Sequence, residues 1–257
     1  MNGDPCIGRL RQYVEERDFA GYDPYDALNS PLLRAGSLGT KWGRIAAIQF
    51  MKRCPLNLRP LLLCRPGHNP KGIGLFLQGY ARLVRSRSVS HGMSDGALAT
   101  SEGIANTEGE EHCTIPGRIE HLLGLLAEQK SKGYSGNGWG YNFDWQSRAA
   151  YVPQGTPTIV NTAFIGHALL DTWEWLGNTK ALDLALPIAD FMLNDLNRLD
   201  DGDEFCFSYT PQDHNYVHNA NLLGASVLAR IAGIGVGGQA SGVGGRRTAD
   251  GRRRVEE

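Results

Sequence analysis

Hydrophobic positions along this chain recur at helical spacing. The clearest run lies at 179–197, where Leu182, Leu186, Ile188, Ala189, Met192, Leu193 and Leu196 mark one face of a helix. Pro187 inside that run predicts a kink, because proline lacks the amide hydrogen the helical ladder needs. A run at 117–131 has the same character, and earlier helices are expected near 7–19 and 39–52. Between these runs, segment 151–170 lies over segment 209–228 without a gap. The pairs Tyr151/Tyr209, Pro153/Pro211, Gln154/Gln212, Asn161/Asn219, Gly166/Gly224 and Leu170/Leu228 are identical. A weaker third copy at 64–83 keeps Pro66, Gly79 and Leu83. In each copy a proline-containing loop leads into a helix. Thr156-Pro157 and Asn69-Pro70 predict helix starts, a capping residue followed by proline in the first turn, and Asp213 or Asn215 is the expected cap of the last copy.

A helix pair cannot bury its own apolar face, so such pairs must stack on their neighbours. Short glycine- and aromatic-rich loops before the inner helices favour closure into a ring over an open solenoid. The expected fold is therefore all-α, with helical-hairpin repeats forming a partial (α/α)6 toroid over 1–232. Segment 86–115 is polar, Gly/Ser-rich and aperiodic, and reads as a flexible insertion. The Gly/Arg-rich stretch 233–257 reads as a disordered tail. The abrupt loss of pattern after Ile231 leads to the expectation that a change of reading frame has cut the chain short.

Composition narrows the function classes. The chain has 257 residues, with 26 Lys and Arg against 27 Asp and Glu, so no global field argues for nucleic acid or an anionic membrane. No apolar run reaches the roughly 18 residues a membrane span needs. The first ten residues carry Asp4 and Pro5 and no apolar h-region, so no signal peptide is expected. Cys6, Cys54, Cys64, Cys113 and Cys206 are scattered, with no C-x-x-C spacing, and read as reduced thiols of a cytoplasmic protein. The glycines at 233–238 have no preceding strand and no Gly-Lys-Ser/Thr ending, so they are not a phosphate loop.

Four runs carry a family likeness: 21–26 (GYDPYD), 138–148 (GWGYNFDWQSR), 155–162 (GTPTIVNT) and 218–224 (HNANLLG). Over roughly 7–85 and 115–232 the chain resembles a group of bacterial and archaeal toroid proteins associated with polysaccharide biosynthesis clusters and related to the six-hairpin glycosidase superfamily. The resemblance implies a six-hairpin barrel with a binding cleft at one rim, of which this chain would supply roughly four hairpins. It implies a carbohydrate as substrate class, but no particular reaction.

The densest candidate cluster is 134–148, where Tyr134, Trp139, Tyr141, Phe143 and Trp145 accompany Asp144 and Arg148 on a glycine-rich loop. Sugar rings have apolar C–H faces and polar rims, which suits aromatic platforms beside charged groups. The competing reading has Trp139 and Trp145 plugging the gap between hairpins. Asp144 is the candidate general acid or base. Glycoside hydrolysis needs a second carboxylate about 5–9.5 Å away, and Asp213, Glu204, Asp23 and Asp26 are its candidate partners. Asp213 could instead cap the following helix, and Asp23 and Asp26 could merely satisfy a turn around Pro24. His214 and His218 stand four apart, which on a helix would place both imidazoles on one face. Without a Glu after His214 the zinc-protease pattern is absent. Proton transfer at carbon by a histidine is the alternative, and a packed, hydrogen-bonded histidine the simplest reading. His167 reads as core.

The candidate catalytic set is thus Asp144, Asp213, His214 and His218. The candidate binding set is Trp139, Tyr141, Trp145, Arg148, Asp23, Asp26 and Tyr209. No metal or cofactor is expected. The expected partners are a carbohydrate and, with it, polysaccharide-assembly proteins. Three functions stay open: an enzyme on a polysaccharide or oligosaccharide (hydrolase, lyase or epimerase), a non-catalytic glycan-binding scaffold or inactive truncated fragment, and a terpenoid-cyclase-like toroid, which the lack of an Asp-rich D-x-D-D motif weakens.

Overall fold

The computed structural model describes residues 5–36, 40–90, 114–148 and 150–240. The chain is mostly helical. In order it runs α1 (Pro5–Glu15), a 3-10 turn (Asp26–Asn29), α2 (Pro31–Gly36), α3 (Lys41–Arg53), α4 (Pro70–Ser90), α5 (Ile115–Glu128), β1 (Trp145–Gln146), β2 (Tyr151–Val152), α6 (Ile159–Leu176), α7 (Thr179–Ala185), α8 (Ile188–Asn194), β3 (Arg198–Asp201), β4 (Glu204–Phe207) and α9 (His218–Ala240). The strands form two antiparallel ribbons, β1 with β2 and β3 with β4, which an all-α reading does not anticipate.

The helix starts follow capping chemistry. Thr40, Thr114 and Thr158 sit in extended backbone, and each accepts a hydrogen bond from the amide three residues on. Asn69 Oδ1 accepts from the Lys71 amide at 3.1 Å at the head of α4, as expected. The predicted start at Thr156-Pro157 is displaced. The cap is Thr158, because Pro157 lies against Gly138 and is held in the loop rather than in the first helical turn. Pro187 does more than kink 179–197: it separates α7 from α8. α9 continues through Gly233 and Gly235 to Ala240, past the expected boundary at 232. Most of the expected insertion at 86–115, and 241–257 of the expected tail, lie outside the described residues; α4 itself reaches Ser90.

Helices α4, α6 and α9 run parallel and side by side. A Cβ on Gly74 would stand 3.0 Å from Ile165, and further along Gln78 bonds Asp171 at 2.6 Å. On the other side Gly224 approaches Ile159, Gly166 approaches Val227, and Arg230 reaches Asp171. Position rises together on each pair, so all three N-termini share one end. Helix α5 packs on α4, α7 and α8 pack on α6, and α8 also packs on α9. One apolar core joins them, through Ile73, Leu77, Leu122, Leu126, Ile159, Ile165, Leu169, Phe191, Met192 and Val227. A smaller cluster of Ala27, Leu28, Ile48 and Met51 joins the 3-10 turn to α3.

Gly136, Gly138 and Gly140 are there for close passage. A Cβ on Gly136 would fall 2.0 Å from the Pro187 carbonyl, and one on Gly140 would fall 2.3 Å from that of Thr156. Between them Trp139 is wholly buried, its Nε1–H donating to the Leu126 carbonyl at 2.8 Å. This loop therefore ties α5, α6 and α8 together. Gly140→Ala forces backbone against backbone, and an overpacking loss of about 1–3 kcal/mol is expected. Trp139→Ala should cost about 3–5 kcal/mol. Urea unfolding of each variant against the parent measures both.

Candidate functional site

The loops that enter α4, α6 and α9 meet at the shared N-terminal end. Gly21 and Gly67 pair backbone to backbone, joining the N-terminal segment to the loop before α4. Asn69 Nδ2 donates to Asp23 Oδ2 at 3.1 Å, and the Ile159 amide donates to the Tyr209 carbonyl at 3.0 Å. Asn29 Nδ2 donates to the Asn142 carbonyl at 3.1 Å.

These contacts bring a row of rings together. Tyr25 stacks on Phe143 with centroids 6.2 Å apart, and Phe143 stacks on Tyr141 at 5.1 Å. The Tyr141 hydroxyl hydrogen-bonds the Tyr209 hydroxyl, and Trp145 lies 6.2 Å from the Tyr209 ring. Phe143 is buried, whereas Tyr25, Tyr141, Trp145 and Tyr209 are each half-buried, with part of their surface open. Burial pushes the Tyr141 phenol well above its ordinary pKa, and the bond to Tyr209 and the nearby Asp23 carboxylate push it further. Burial also raises Tyr209, with its bond to Tyr141 working against this. Tyr141 is thus the donor of the pair. Both stay neutral phenols at neutral pH, suited to hydrogen bonding rather than to acting as bases.

The aspartates singled out in the sequence are already engaged. Asp144 Oδ1 accepts from the Gln154 amide at 2.7 Å, and Oδ2 pairs with Arg34 at 3.2 Å. The Tyr151 hydroxyl bonds Asp144 as well. Asp23 accepts from the Tyr25 amide and Asn69. Asp26 is 4% exposed and held by Arg59 at 2.8 Å, so it is no part of an open surface. Burial raises its pKa, against the pull of Arg59. Asp213 does not cap α9, which starts five residues later. It accepts instead from the Tyr209 and Asn215 amides and the Thr210 hydroxyl, closing the loop. Glu204 is exposed on β4.

Other expectations need correction. Trp139 is core and cannot serve as a sugar platform. His214 lies in a loop beside the Tyr216 hydroxyl, and only His218 is helical, so the two do not share a helix face. Both are exposed, as is Arg148. Among the described residues no three His, Cys, Asp or Glu side chains cluster as metal ligands. Among the described residues Cys6, Cys54, Cys64 and Cys206 form no disulfide.

Two groups of residues escaped the sequence reading. Lys71, in the first turn of α4, lies half-buried with Nζ 4.1 Å from the Phe164 ring centroid on α6. A cation at a helix N-terminus runs against the dipole preference, and that was a usable signal. Further along the helices, His167 is not plain core. Arg230 Nη1 donates to its Nδ1 at 2.9 Å, and its Nε2 lies 2.8 Å from the Ser226 hydroxyl. Ser226 gives its own proton to the Leu223 carbonyl, so Nε2 carries the imidazole hydrogen. Arg230 also pairs with Asp171 at 2.8 Å and Glu174 at 2.9 Å. This polar network of α4, α6 and α9 side chains has no counterpart in a periodicity reading, because its partners come from three helices.

No protein-family model, no curated protein and no solved structure matches the chain.

The network has a pH consequence. Burial, and then Arg230, lower the His167 pKa. The unfolded chain therefore binds the proton more readily, and stability rises with pH between the lowered folded value and the ordinary one near 6.5. Acid should begin to weaken the fold below about pH 6.5. His167→Gln, which keeps a donor toward Ser226, should flatten that limb in thermal melts taken from pH 7.5 to 4.5.

Proposed function

We propose that this chain binds a polysaccharide or oligosaccharide on the aromatic row at the helix-entry end, as a carbohydrate-binding or carbohydrate-acting helical-hairpin protein of polysaccharide assembly. The observation that carries the reading is the row Tyr25, Phe143, Tyr141, Tyr209 and Trp145, joined by ring contacts and one hydroxyl pair. Half-open rings offer faces for sugar C–H groups, and phenol hydroxyls answer sugar hydroxyls. The motif resemblance described above supports the same substrate class, and the proposal takes in its finer points: an arc of hairpins belonging to a toroid and a cytoplasmic setting. Among the described residues no helix is long and apolar enough to cross a membrane.

The bonding of the acids sorts the possible reactions. Two-carboxylate hydrolysis needs one acid free to protonate and one free to attack or activate water. Asp144, Asp23, Asp26 and Asp213 are each held by loop amides or arginines. Binding suits the site better than hydrolysis. A terpenoid-cyclase role is supported less, because the helix face carrying Gln78, His167, Asp171 and Arg230 is polar where such chemistry needs an apolar cavity.

Titration of the chain with neutral and acidic oligosaccharides, followed by tryptophan fluorescence and calorimetry, tests this. Trp145→Ala should weaken binding about two- to tenfold, in line with about 0.5–1.5 kcal/mol per lost aromatic contact, while the melting temperature stays near that of the parent. Tyr141→Phe, which removes the donor of the phenol pair, should weaken it less. Saccharide affinity unchanged in Trp145→Ala would remove the platform from consideration.

A further inference from the structure

The even balance of charge over the whole chain hides a local imbalance. Residues 27–94 carry eleven of the 26 Lys and Arg and none of the 27 Asp and Glu. The part of this stretch that precedes α4 folds as a small unit around Ala27, Leu28, Ile48 and Met51, with Leu33, Leu58 and Leu62 packed on them. Two of its arginines are engaged with carboxylates, Arg34 with Asp144 and Arg59 with Asp26. Lys41, Arg53 and Arg65 are exposed, and among the described residues none of them pairs with a carboxylate.

Helix α3 turns apolar side chains both ways. Ile48 and Met51 are buried in the core of the unit. At helical spacing Trp42, Ala46, Phe50 and Arg53 fall together on the opposite face. All four are exposed, Trp42 at 68% and Phe50 at 58%. Lys41 Nζ stands 5.8 Å from the Trp42 ring centroid. Just past the helix Leu56 is 70% exposed, and Leu61, further along the same unit, is 74% exposed. A single exposed leucine needs no explanation. Two rings on one helix face, with an exposed cation at each end of the helix and bare leucines after it, mark a surface built for contact.

We propose that the exposed face of α3 seats this chain on an anionic membrane surface, lying in the headgroup layer rather than spanning the bilayer. Trp42 and Phe50 enter the boundary between headgroups and acyl chains, and Lys41 and Arg53 meet the lipid phosphates. Charge complementarity selects this occupant. A stretch without a single acid offers an anionic surface nothing to repel. A second copy of the chain on the same patch would bring like charges face to face. A nucleic acid would answer the cations, but Leu56 and Leu61 gain nothing against a phosphate backbone, whereas the acyl boundary takes them up. The inference does not depend on the saccharide reading. The contact of α3 with β1 is made from its other side, where Arg44 bonds Gln146 at 2.8 Å.

The experiment is flotation of the full chain with vesicles of phosphatidylcholine alone and of phosphatidylcholine mixed with phosphatidylserine. The parent should prefer the anionic vesicles by about tenfold or more and leave them as salt is added. The double variant Lys41→Glu, Arg53→Glu should lose that preference. The double variant Trp42→Ala, Phe50→Ala should weaken binding to anionic vesicles by about tenfold or more. All four side chains are exposed, so the thermal melts of both variants should match that of the parent. Brominated acyl chains should quench the parent's tryptophan fluorescence, and Trp42→Phe should float as the parent does but lose that quenching. Equal flotation with neutral and anionic vesicles, or flotation with neither, overturns the proposal. Anionic binding that both double variants retain overturns the assignment to α3. An oligonucleotide bound more tightly than the anionic vesicles overturns the choice of lipid. Self-association of the parent that Trp42→Ala, Phe50→Ala abolishes overturns it in favour of a second copy.

Discussion

The rim is assembled by the close approach of three parallel helices, and glycine permits that approach. Gly74 lets α4 lie against Ile165, and Gly166 and Gly224 let α6 and α9 close on Val227 and Ile159. Any side chain at these positions must push a neighbour aside in a core packed to near-crystal density. With the helices so close and in register, their entry loops have nowhere to go but against each other. That is why segments distant in sequence, 21–25, 64–69, 139–146 and 207–213, form one surface.

The repeat between 151–170 and 209–228 was legible in the sequence, and so was the helix that each copy enters. Both copies run through a loop into a helix, and Gly166 and Gly224 fall at equivalent packing points. The exact helix starts were less legible. Thr156 and Thr158 are both capable caps flanking Pro157, and only the contact of Pro157 with Gly138 decides between them. Asp213 was read as a cap because of its residue type, but Asx side chains bond loop amides as readily as helix amides. The loop closed by Tyr209 and Asn215 used it first. The ribbons were missed because two- and four-residue strands are too short to show a period.

The aromatic cluster shows how composition misleads at the level of single residues. Trp139 and Trp145 are near neighbours on one loop, yet one is wholly buried and the other half-open. What separates them is the backbone beside each. Trp139 lies between Gly138 and Gly140, whose closeness to Phe191 and Thr156 drives the indole inward, while Trp145 stands on a short ribbon beside Tyr209. Tyr141 and Tyr209, taken as binding residues from sequence, do reach the same surface. Their hydrogen bond joins the loop before α6 to the loop before α9 and is invisible in either stretch of sequence alone.

The polar groups divide by whether the fold satisfies them. Asp26 with Arg59, Asp144 with Arg34 and Gln154, and Asp171 with Arg230 and Gln78 are closed arrangements, in which burial is compensated by partners. Such groups explain loop shape and helix docking, and a carboxylate so engaged is poorly placed for chemistry. Asn161 is an open arrangement: an amide wholly removed from water, neither of whose polar atoms has a partner among the described residues. Sequence inspection favoured the acids because carboxylates are the familiar catalytic type. The structure shifts attention to the groups whose burial costs free energy that nothing within the described residues offsets.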